Sequence, residues 1–538
     1  MTNDLFTKAD LDQMKQLGIT EEEAGRQMAI LEKGPRLVAL QRPCTPGDGI
    51  VVLDAQDQSR LLALWAETAA KGRFSVFLPA SGAATRMFAF LQRIRNQFDR
   101  VTLDKIAKKS SEISSDQRDL QVFMESLREF AFFEPLAEVM DKAGISLPAQ
   151  LNSGDYTVIL DFLIEAQGLN YGSLPKGLIP FHRYSDHYRT ALEEHLVEAI
   201  HTVRDGKQRC RLHFTVASEN EKEVKDHGRE AAANYGASSG VEYELSFSLQ
   251  SPATNTLAVD LENRPFRRPD GSLLFRPGGH GALLHNLNRC QGDIVFIKNI
   301  DNVVTDGHRD QVVHLQRILA GMLLELQEEI FSYLRVLQSR SVESKVLQEV
   351  LDFAVHRLSV SPPEGFSQCS AKEKGSRLSE LLNRPLRVCG MIKNRGEPGG
   401  GPFWVQEPSG GLSLQIVEYA QIDQNSPEQM AILGASTHFS PVQIVCGLRD
   451  FQDRPFNLTK FYDPQAVFIS RKTEYGRELK ALELPGLWNG GMAYWNTVFV
   501  EIPEETFNPV KTINDLLRPG HRAGQAGSPA TPRGTGGQ

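Results

Sequence analysis

Residues 75–86, SVFLPASGAATR, join a compact apolar run to a loop that ends in an arginine. This order predicts a strand that feeds a phosphate-binding loop at the start of a helix, where free N–H groups favour an anion. Arg86 would add a bidentate cation. A tight turn with a surface arginine explains the composition equally well, and no Walker loop occurs in the sequence. The loop residues are small enough for close backbone approach to a ligand: Ala80, Ser81, Gly82, Ala83 and Ala84.

Two lysines lie in proline-bearing segments. Lys176 falls in LPKGLIP, where two prolines hold an extended loop and would fix its cation in place. Lys511 falls in FNPVKTIND and could reach a phosphate. Taken alone, each is better explained as a solvated lysine, Lys176 in a rigid turn and Lys511 at a helix start.

A glycine-rich segment, PGGHG, covers residues 277–281. Three glycines in four positions indicate that the backbone approaches a flat ligand or a phosphate closely. A hairpin loop or a flexible crossover would use the same residues. His280 alone is more typical of a turn than of a ligand contact.

Two acidic positions are associated with strands. Asp301 and Asn302 end the apolar run DIVFIKNI, a position suited to Mg²⁺ at the carboxyl edge of a sheet, although an Asx turn explains them equally well. Glu418 lies inside the predicted strand SLQIVEYAQI and could accept hydrogen bonds from sugar hydroxyls. A salt bridge or an exposed edge position accounts for Glu418 equally well.

The elements needed to position these residues form an α/β pattern. Strands alternate with helices in the first part of the chain, which predicts a mostly parallel sheet. In such sheets, ligands bind at the carboxyl ends of the strands. Most of the candidate motifs follow predicted strands, so we expect them to meet at one edge.

Bulk composition excludes several classes of protein. The 538 residues carry a net charge of −8, which leaves no general electrostatic footprint for nucleic acid. Six scattered cysteines form no CxxC pair, as is typical of a reducing cytoplasm. No signal peptide or membrane-spanning apolar run is visible. We therefore expect a cytoplasmic protein that acts on small molecules, with no nucleic acid or membrane partner.

The order of the motifs resembles that of sugar nucleotidyltransferases. ASGAATRM is similar to AGGxGTRL, LPKGLIP to PKGL, FSLQSP to an FxQxxxP segment, and PGGHGALL to PxGNGGLY. KNIDNVV is similar to a metal-binding DN strand, IVEYAQI to VEYSEI, and ETFNPVKTIND to EFSPLKN. The nearest resemblance is to UDP-N-acetylhexosamine and UDP-glucose pyrophosphorylases, over about residues 75–515. The whole chain also resembles a bacterial family of unknown function.

The resemblance implies a fold, a reaction and a division of the chain. The fold would be a GT-A-like α/β core with a mostly parallel mixed sheet, and the reaction would join an NTP, expected to be UTP, to a sugar-1-phosphate with release of pyrophosphate. We expect an N-terminal helical segment (1–70), a nucleotide-binding α/β core (71–310), a helical insert (311–385), a sugar-binding completion of the core (386–517) and a disordered tail (518–538). The alternatives are a GT-A-type glycosyltransferase and an inactive nucleotide- or sugar-binding protein.

The resemblance also implies residue roles. Residues 80–84 would lie under the nucleotide, with Gln250 and Gly279 against the base. The catalytic cations would be Arg86, at the leaving pyrophosphate, and Lys176, at the α- and β-phosphates. Asp301 would bind Mg²⁺. The residues on the sugar-phosphate side would be His280, Asn302, Glu418 and Lys511, of which His280 replaces a sugar-contacting asparagine of the relatives.

Overall fold

The computed structural model describes residues 5–82, 84–104, 115–339, 342–362, 364–396, 399–407, 410–484 and 486–522. Ala83, predicted to lie under a nucleotide, and residues 523–538 of the predicted tail lie outside the described residues.

The helices are α1 (Lys8–Leu17), α2 (Glu21–Lys33), α3 (Ala55–Ala69), α4 (Ala89–Gln97), α5 (Ser115–Glu125), α6 (Phe133–Lys142), α7 (Leu147–Ser153), α8 (Thr157–Ile164), α9 (Ala191–Thr202), α10 (Glu221–Ser239), α11 (Leu283–Cys290), α12 (Asp306–Leu337), α13 (Ser344–His356), α14 (Ala371–Leu382) and α15 (Pro427–Gly434). Within the described residues, no helix combines the length and apolar character that a bilayer crossing requires.

The strands are β1 (Leu40–Pro43), β2 (Thr45–Pro46), β3 (Gly49–Val51), β4 (Phe74–Pro79), β5 (Pro180–Arg183), β6 (Tyr188–Thr190), β7 (Arg209–Val216), β8 (Glu242–Leu249), β9 (Thr256–Val259), β10 (Phe275–Arg276), β11 (Ile294–Ile297), β12 (Leu386–Lys393), β13 (Gly401–Gln406), β14 (Leu412–Val417), β15 (His438–Phe439), β16 (Ile444–Gly447), β17 (Phe468–Glu474), β18 (Arg477–Glu483) and β19 (Asn496–Glu501).

A central sheet organises the molecule. Its strand order is β2-β3-β19-β12-β16-β11-β4-β7-β8, with β15 paired to β12 outside that path. Along that path only β16 runs antiparallel to its neighbours, so the predicted mostly parallel α/β sheet is confirmed. The chain is therefore a mixed α/β protein, and the carboxyl ends of β4, β7, β8 and β11 share one edge.

Both faces of the sheet are buried, which explains the near-continuous apolar runs of its central strands. In β11, Ile294 and Phe296 pack into a core on one face, while Val295 and Ile297 pack into a second core on the other. Helices α3, α9 and α12 contribute to the first core. The strands that FSVFLP, RLHFTVA and VEYELSFSLQ predict are confirmed as β4, β7 and β8. β4 and β7 are largely buried, whereas residues along the edge strand β8 are exposed or half-buried.

Several predicted boundaries are wrong. The sequence HYRTALEEHLVEAIHTVR predicts a helix from His187. The helix begins instead at Ala191, because Thr190 caps it by exchanging hydrogen bonds with Glu193. The helix expected at Arg86 is first a single 3₁₀ turn, Ala84–Arg86, and α4 begins only at Ala89. The loop therefore does not lead directly into a helix N-terminus.

The expected helical insert is also corrected. Its first helix, α12, begins at Asp306 rather than at 311, and it packs against α3 and against β12 and β16 of the central sheet. Sixteen of its residues are buried, including a continuous stretch from Ile318 to Leu324. This helix is a layer of the core and not an appendage.

The tail expected from residue 518 is corrected in its first five residues. Pro519–His521 form a 3₁₀ turn in which Gly520 and His521 are buried. The segment is polar and contains glycine and proline, so it has no apolar pattern from which its burial could be predicted.

A buried ion pair lies beneath the end of β11. Lys298 Nζ donates to both carboxylate oxygens of Glu198 on α9, at 2.8 and 2.6 Å, and Gln316 Nε2 donates to the same carboxylate at 2.9 Å. The Lys298 and Glu198 side chains are 3% and 9% exposed. Two charges at this depth are stable only while both are present.

Replacing Lys298 with methionine should lower the free energy of unfolding by about 3 to 5 kcal/mol, because Glu198 would remain buried without its cation. Urea unfolding followed by circular dichroism measures this loss. The Lys298→Met/Glu198→Leu double variant is the control and should recover most of the stability. A single variant that loses less than about 1 kcal/mol would contradict the argument.

Candidate functional site

The loops that follow β4 and β11 leave the sheet side by side. Phe77 pairs with Ile297 in the parallel register of these strands. Just past the end of β11, Lys298 N still donates to Phe77 O at 3.5 Å. The loops that carry Ser81 and Asp301 therefore leave the same carboxyl edge of the sheet side by side.

The segment that carries Lys176 packs directly on the small-residue loop. Ala84 N donates to Leu174 O at 2.9 Å, and Lys176 N donates to Gly82 O at 3.4 Å. These backbone bonds tie the first two motifs together although about ninety residues separate them in the sequence. Two of the loop's backbone groups thus bond to protein, which favours a preformed loop over a flexible one.

Lys176 and Asp301 form an ion pair at this edge. Lys176 Nζ donates to Asp301 Oδ2 at 2.6 Å and to Val510 O at 2.7 Å. The two side chains are only 14% and 17% exposed, so their attraction is weakly screened. Three separate sequence motifs therefore converge on one ammonium group.

Hydrogen bonds from His195 and Val510 hold the backbone of the loop after β11. His195 Nε2 bonds to Ile300 O at 3.1 Å, and burial lowers the pKa of His195 to about 4, so the imidazole is neutral. Val510 N donates to Asp301 O at 3.2 Å. The carboxylate of Asp301 consequently stands on a backbone that is fixed on two sides.

Asn302 has a structural role. Its side chain is buried, and Oδ1 accepts a hydrogen bond from Asn508 N at 2.9 Å. This bond joins the acidic loop to the segment that precedes Lys511. The amide oxygen of Asn302, predicted for the sugar-phosphate side, is thereby used within the protein.

Backbone conformation and close packing require two of the glycines in the PGGHG segment. Gly279 has φ of +74°, a conformation that side chains disfavour. A Cβ on Gly278 would collide with Thr254 O and with Leu484, whose N–H donates to Gly278 O at 2.9 Å. The segment is therefore pressed against the end of β18, and this packing positions His280.

His280 is exposed, and charged groups of both signs lie near it; we call this surface, with Arg86, Glu483 and Trp488, the recess. Its imidazole is 5.4 Å from the Trp488 ring, measured between centroids. Desolvation in the recess, followed by the positive charge of Arg86, lowers the pKa of His280, while Glu483 and Asp301 act in the opposite direction. The imidazole is therefore neutral at pH 7.

Glu418 is not inside a strand as predicted. β14 ends at Val417, and Glu418 instead caps the turn Tyr419–Gln421, with its N–H donating to Gln421 Oε1 at 2.9 Å. Desolvation and the nearby charge of Glu483 raise the pKa of Glu418, although the Trp488 indole donates a hydrogen bond to it.

Sequence reasoning missed Glu483 and Trp488, which complete this side of the recess. Glu483 is the last residue of β18, so it is a carboxylate at a strand end, the same signal that drew attention to Asp301. The signal was lost because the β17–β18 hairpin itself was not predicted. Its exposed polar residues at 471–473 and 475–478 weaken the apolar pattern.

The remaining predicted residues lie around the recess. Gln250 follows β8, and its Nε2 is 3.4 Å from Thr254 Oγ1, beside the PGGHG segment. Lys511 is exposed, and its N–H donates to Asp515 Oδ2 at 2.9 Å. Asp515 also accepts from Thr512 N, so it stabilises this turn.

The donor set limits the kind of metal that fits. Among the described residues, no group of three or more His, Cys, Asp and Glu side chains could hold a metal ion. Asp301 is a single carboxylate beside the phosphate-loop candidate. Mg²⁺ is commonly held by one or two carboxylates together with substrate phosphates, so Asp301 fits such an ion.

The chain is an α/β protein with the Lys176–Asp301 ion pair at the carboxyl edge of its central sheet. Residues 7–522 match the family model described as a domain of unknown function (DUF4301), and the chain belongs to that family. A search of curated proteins finds no match.

Solved structures of UDP-sugar pyrophosphorylases are among the similar folds. The UDP-N-acetylglucosamine pyrophosphorylase of Trypanosoma brucei is 13% identical with a TM-score of 0.46, and the similarity covers 95% of this chain and 79% of that one. The UDP-glucose pyrophosphorylase of Leishmania major is 11% identical with a TM-score of 0.41, over 95% and 78%. The UDP-glucose phosphorylase of T. brucei is 13% identical with a TM-score of 0.41, over 95% and 77%.

Glu418→Gln should stabilise the protein at pH 7 but not at pH 4. The pKa of Glu418 is raised in the folded state, so its contribution favours folding at low pH and is lost as pH rises through that value. Glutamine removes the charge and can still accept from Trp488. Thermal unfolding at both pH values measures the difference.

Glu478→Gln, which changes an exposed glutamate on the β17–β18 hairpin, is the matched control and should change the midpoint little at either pH. Equal effects of Glu418→Gln at pH 7 and pH 4 would show that the carboxylate is not held in an unfavourable charged state.

Proposed function

We propose that this protein is a nucleotidyltransferase that joins an NTP to a sugar-1-phosphate, giving a nucleotide sugar and pyrophosphate. The observation that carries the proposal is the ion pair of Lys176 with Asp301, held at 2.6 Å against the small-residue loop after β4. A fixed ammonium and a fixed carboxylate beside a loop of small residues suit a phosphate chain and its counter-ion. The order of the sequence motifs, which resembles that of sugar nucleotidyltransferases, supports this reaction class.

The cations would serve the phosphates. Lys176 would hold the α- and β-phosphates, and Arg86, exposed beside the recess, would stabilise charge on the departing pyrophosphate. In-line attack by an oxygen of the sugar phosphate on the α-phosphorus needs no protein nucleophile. Positioning and charge stabilisation would supply most of the catalysis.

Asp301 would hold Mg²⁺, which when bound supplies further neutralisation of phosphate charge. Lys176 would then be released from the carboxylate to act on the phosphates. The ion pair would in this way keep both groups in position until the substrate and its cation bind.

The acidic and aromatic side of the recess would receive the sugar. Glu418 and Glu483 can accept hydrogen bonds from hydroxyl groups, and Trp488 offers an apolar face. Neutral His280 can donate or accept one hydrogen bond without adding charge. Gln250 and Gly279, near the end of β8, would contact the base, with UTP as the proposed nucleotide.

Arg86→Ala and Lys176→Ala should each reduce the rate of pyrophosphate release by about 100-fold or more, because each removes a fixed charge that stabilises the transferring phosphates. The measurement uses the NTP and sugar-1-phosphate pair that the unchanged protein turns over best, with Mg²⁺. Lys345→Ala, which removes a lysine that is 85% exposed on α13, is the matched control.

Unchanged release by both variants would refute the proposed roles. If the protein instead transfers sugar from a nucleotide sugar and releases no pyrophosphate, it is a glycosyltransferase. Tight NTP binding without turnover on any sugar phosphate would identify a binding protein.

A further inference from the structure

Residues 518–522, which we call the clasp, lie beyond the last motif of the candidate site. Gly520 and His521 are buried at the junction of the segments that carry Lys176, Asp301 and Val510. The clasp contacts each of these three segments through different atoms.

The first contact reaches the Lys176 segment. The turn Lys176–Leu178 leads into β5, where His182 is fully buried. His182 Nε2 and His521 Nδ1 share a hydrogen bond of 2.8 Å. Burial, followed by the neighbouring His182, lowers the pKa of His521, so that imidazole is neutral and can share a proton with its partner.

The far side of His182 is anchored in the core. Its Nδ1 lies 2.9 Å from Glu194 Oε1, and this carboxylate also accepts from Tyr184 Oη at 2.7 Å and from Arg309 on α12 at 3.1 Å. Glu194 is 1% exposed. The His182–His521 bond therefore connects the clasp to a rigid buried network and not to a mobile side chain.

The second contact reaches the Asp301 loop. Thr305 N donates to Gly520 O at 3.0 Å, and the Thr305 hydroxyl donates to the same oxygen at 3.4 Å. Thr305 is the N-cap of α12, four residues after Asp301. Gly520 thus fixes the point where the acidic loop enters its helix.

The third contact reaches the segment that precedes Lys511. Gly520 packs against the side chain of Asn508 so closely that no Cβ would fit there. Asn508 N in turn donates to Asn302 Oδ1. Beyond this, Arg518 pairs with Asp515 at 2.7 Å and Arg522 with Glu129 at 2.6 Å, which secures both ends of the clasp.

We propose that the clasp positions Lys176 and Asp301 for the reaction and that His521 is its central positioning residue. The proposal rests on the proposed nucleotidyl transfer for its catalytic consequence. Lys176 and Asp301 lie on separate loops, which their ion pair and the backbone of Val510 join near the charged groups. The clasp adds a further connection, at His182 and Thr305, away from those groups. A misplacement of about 1 Å can reduce a rate about 100-fold, so such a connection affects turnover strongly.

The test compares two shortened chains. One ends after Leu517 and lacks the clasp, and the control ends after Arg522 and retains it. We expect the first to lose at least about tenfold in kcat for pyrophosphate release, with a smaller change in KM for the sugar phosphate, and the second to match the full chain. Amide hydrogen exchange should accelerate in residues 174–183 and 300–305 of the first chain only.

If the chain ending at Leu517 does not fold, His521 variants test whether the clasp positions Lys176 and Asp301. His521→Leu should remain folded at the assay temperature, with a lower thermal midpoint because His182 loses its buried partner, and should show the same loss of kcat. His521→Asn should restore much of the rate because its amide can still bond to His182. Equal activity and equal exchange in the two shortened chains, or in the two His521 variants, would overturn the proposal. Amide hydrogen exchange tests the structural role of the clasp even if the protein shows no turnover. Absence of turnover would overturn only the proposed reaction.

Discussion

The ion pair between Lys176 and Asp301 is the interaction on which the rest of the site depends. Both groups are more than four-fifths buried, so each needs the other, and removing one would leave an uncompensated charge. Their contact requires β4 and β11 to be parallel neighbours, the Lys176 segment to bond with the loop after β4, and Val510 to approach from the far end of the chain. The folding of three distant segments is thus coupled to the formation of one charged pair.

Charged groups of opposite sign are separated within the recess. Arg86 and Lys176 supply the cations, with Asp301 paired to Lys176, while Glu418 and Glu483 form a separate acidic pair near neutral His280 and Trp488. A substrate with a charged phosphate at one end and uncharged hydroxyls at the other would be oriented by this separation. Desolvation and, after it, the nearby charge of Glu483 raise the pKa of Glu418, and a ligand that donates hydrogen bonds to the carboxylate would offset both effects.

The sequence predicts the part of the structure that local patterns determine. The buried strand β4, the confirmed parallel sheet and the position of Asp301 after β11 follow from apolar runs and from the geometry of parallel strands. Glu483 and Trp488 were missed because Glu483 ends, and Trp488 follows, a half-exposed hairpin that the sequence pattern did not predict. The clasp was missed because its burial comes from hydrogen bonds between residues more than 200 positions apart, which leave no periodic trace.

The central claim is nucleotidyl transfer, and a matrix of NTPs against sugar-1-phosphates tests it most directly. Pyrophosphate release by the full chain is measured with Mg²⁺ for every pair. The account predicts release that requires both substrates and that favours one base and one sugar class. Absence of release from every pair, with the protein folded, would contradict it.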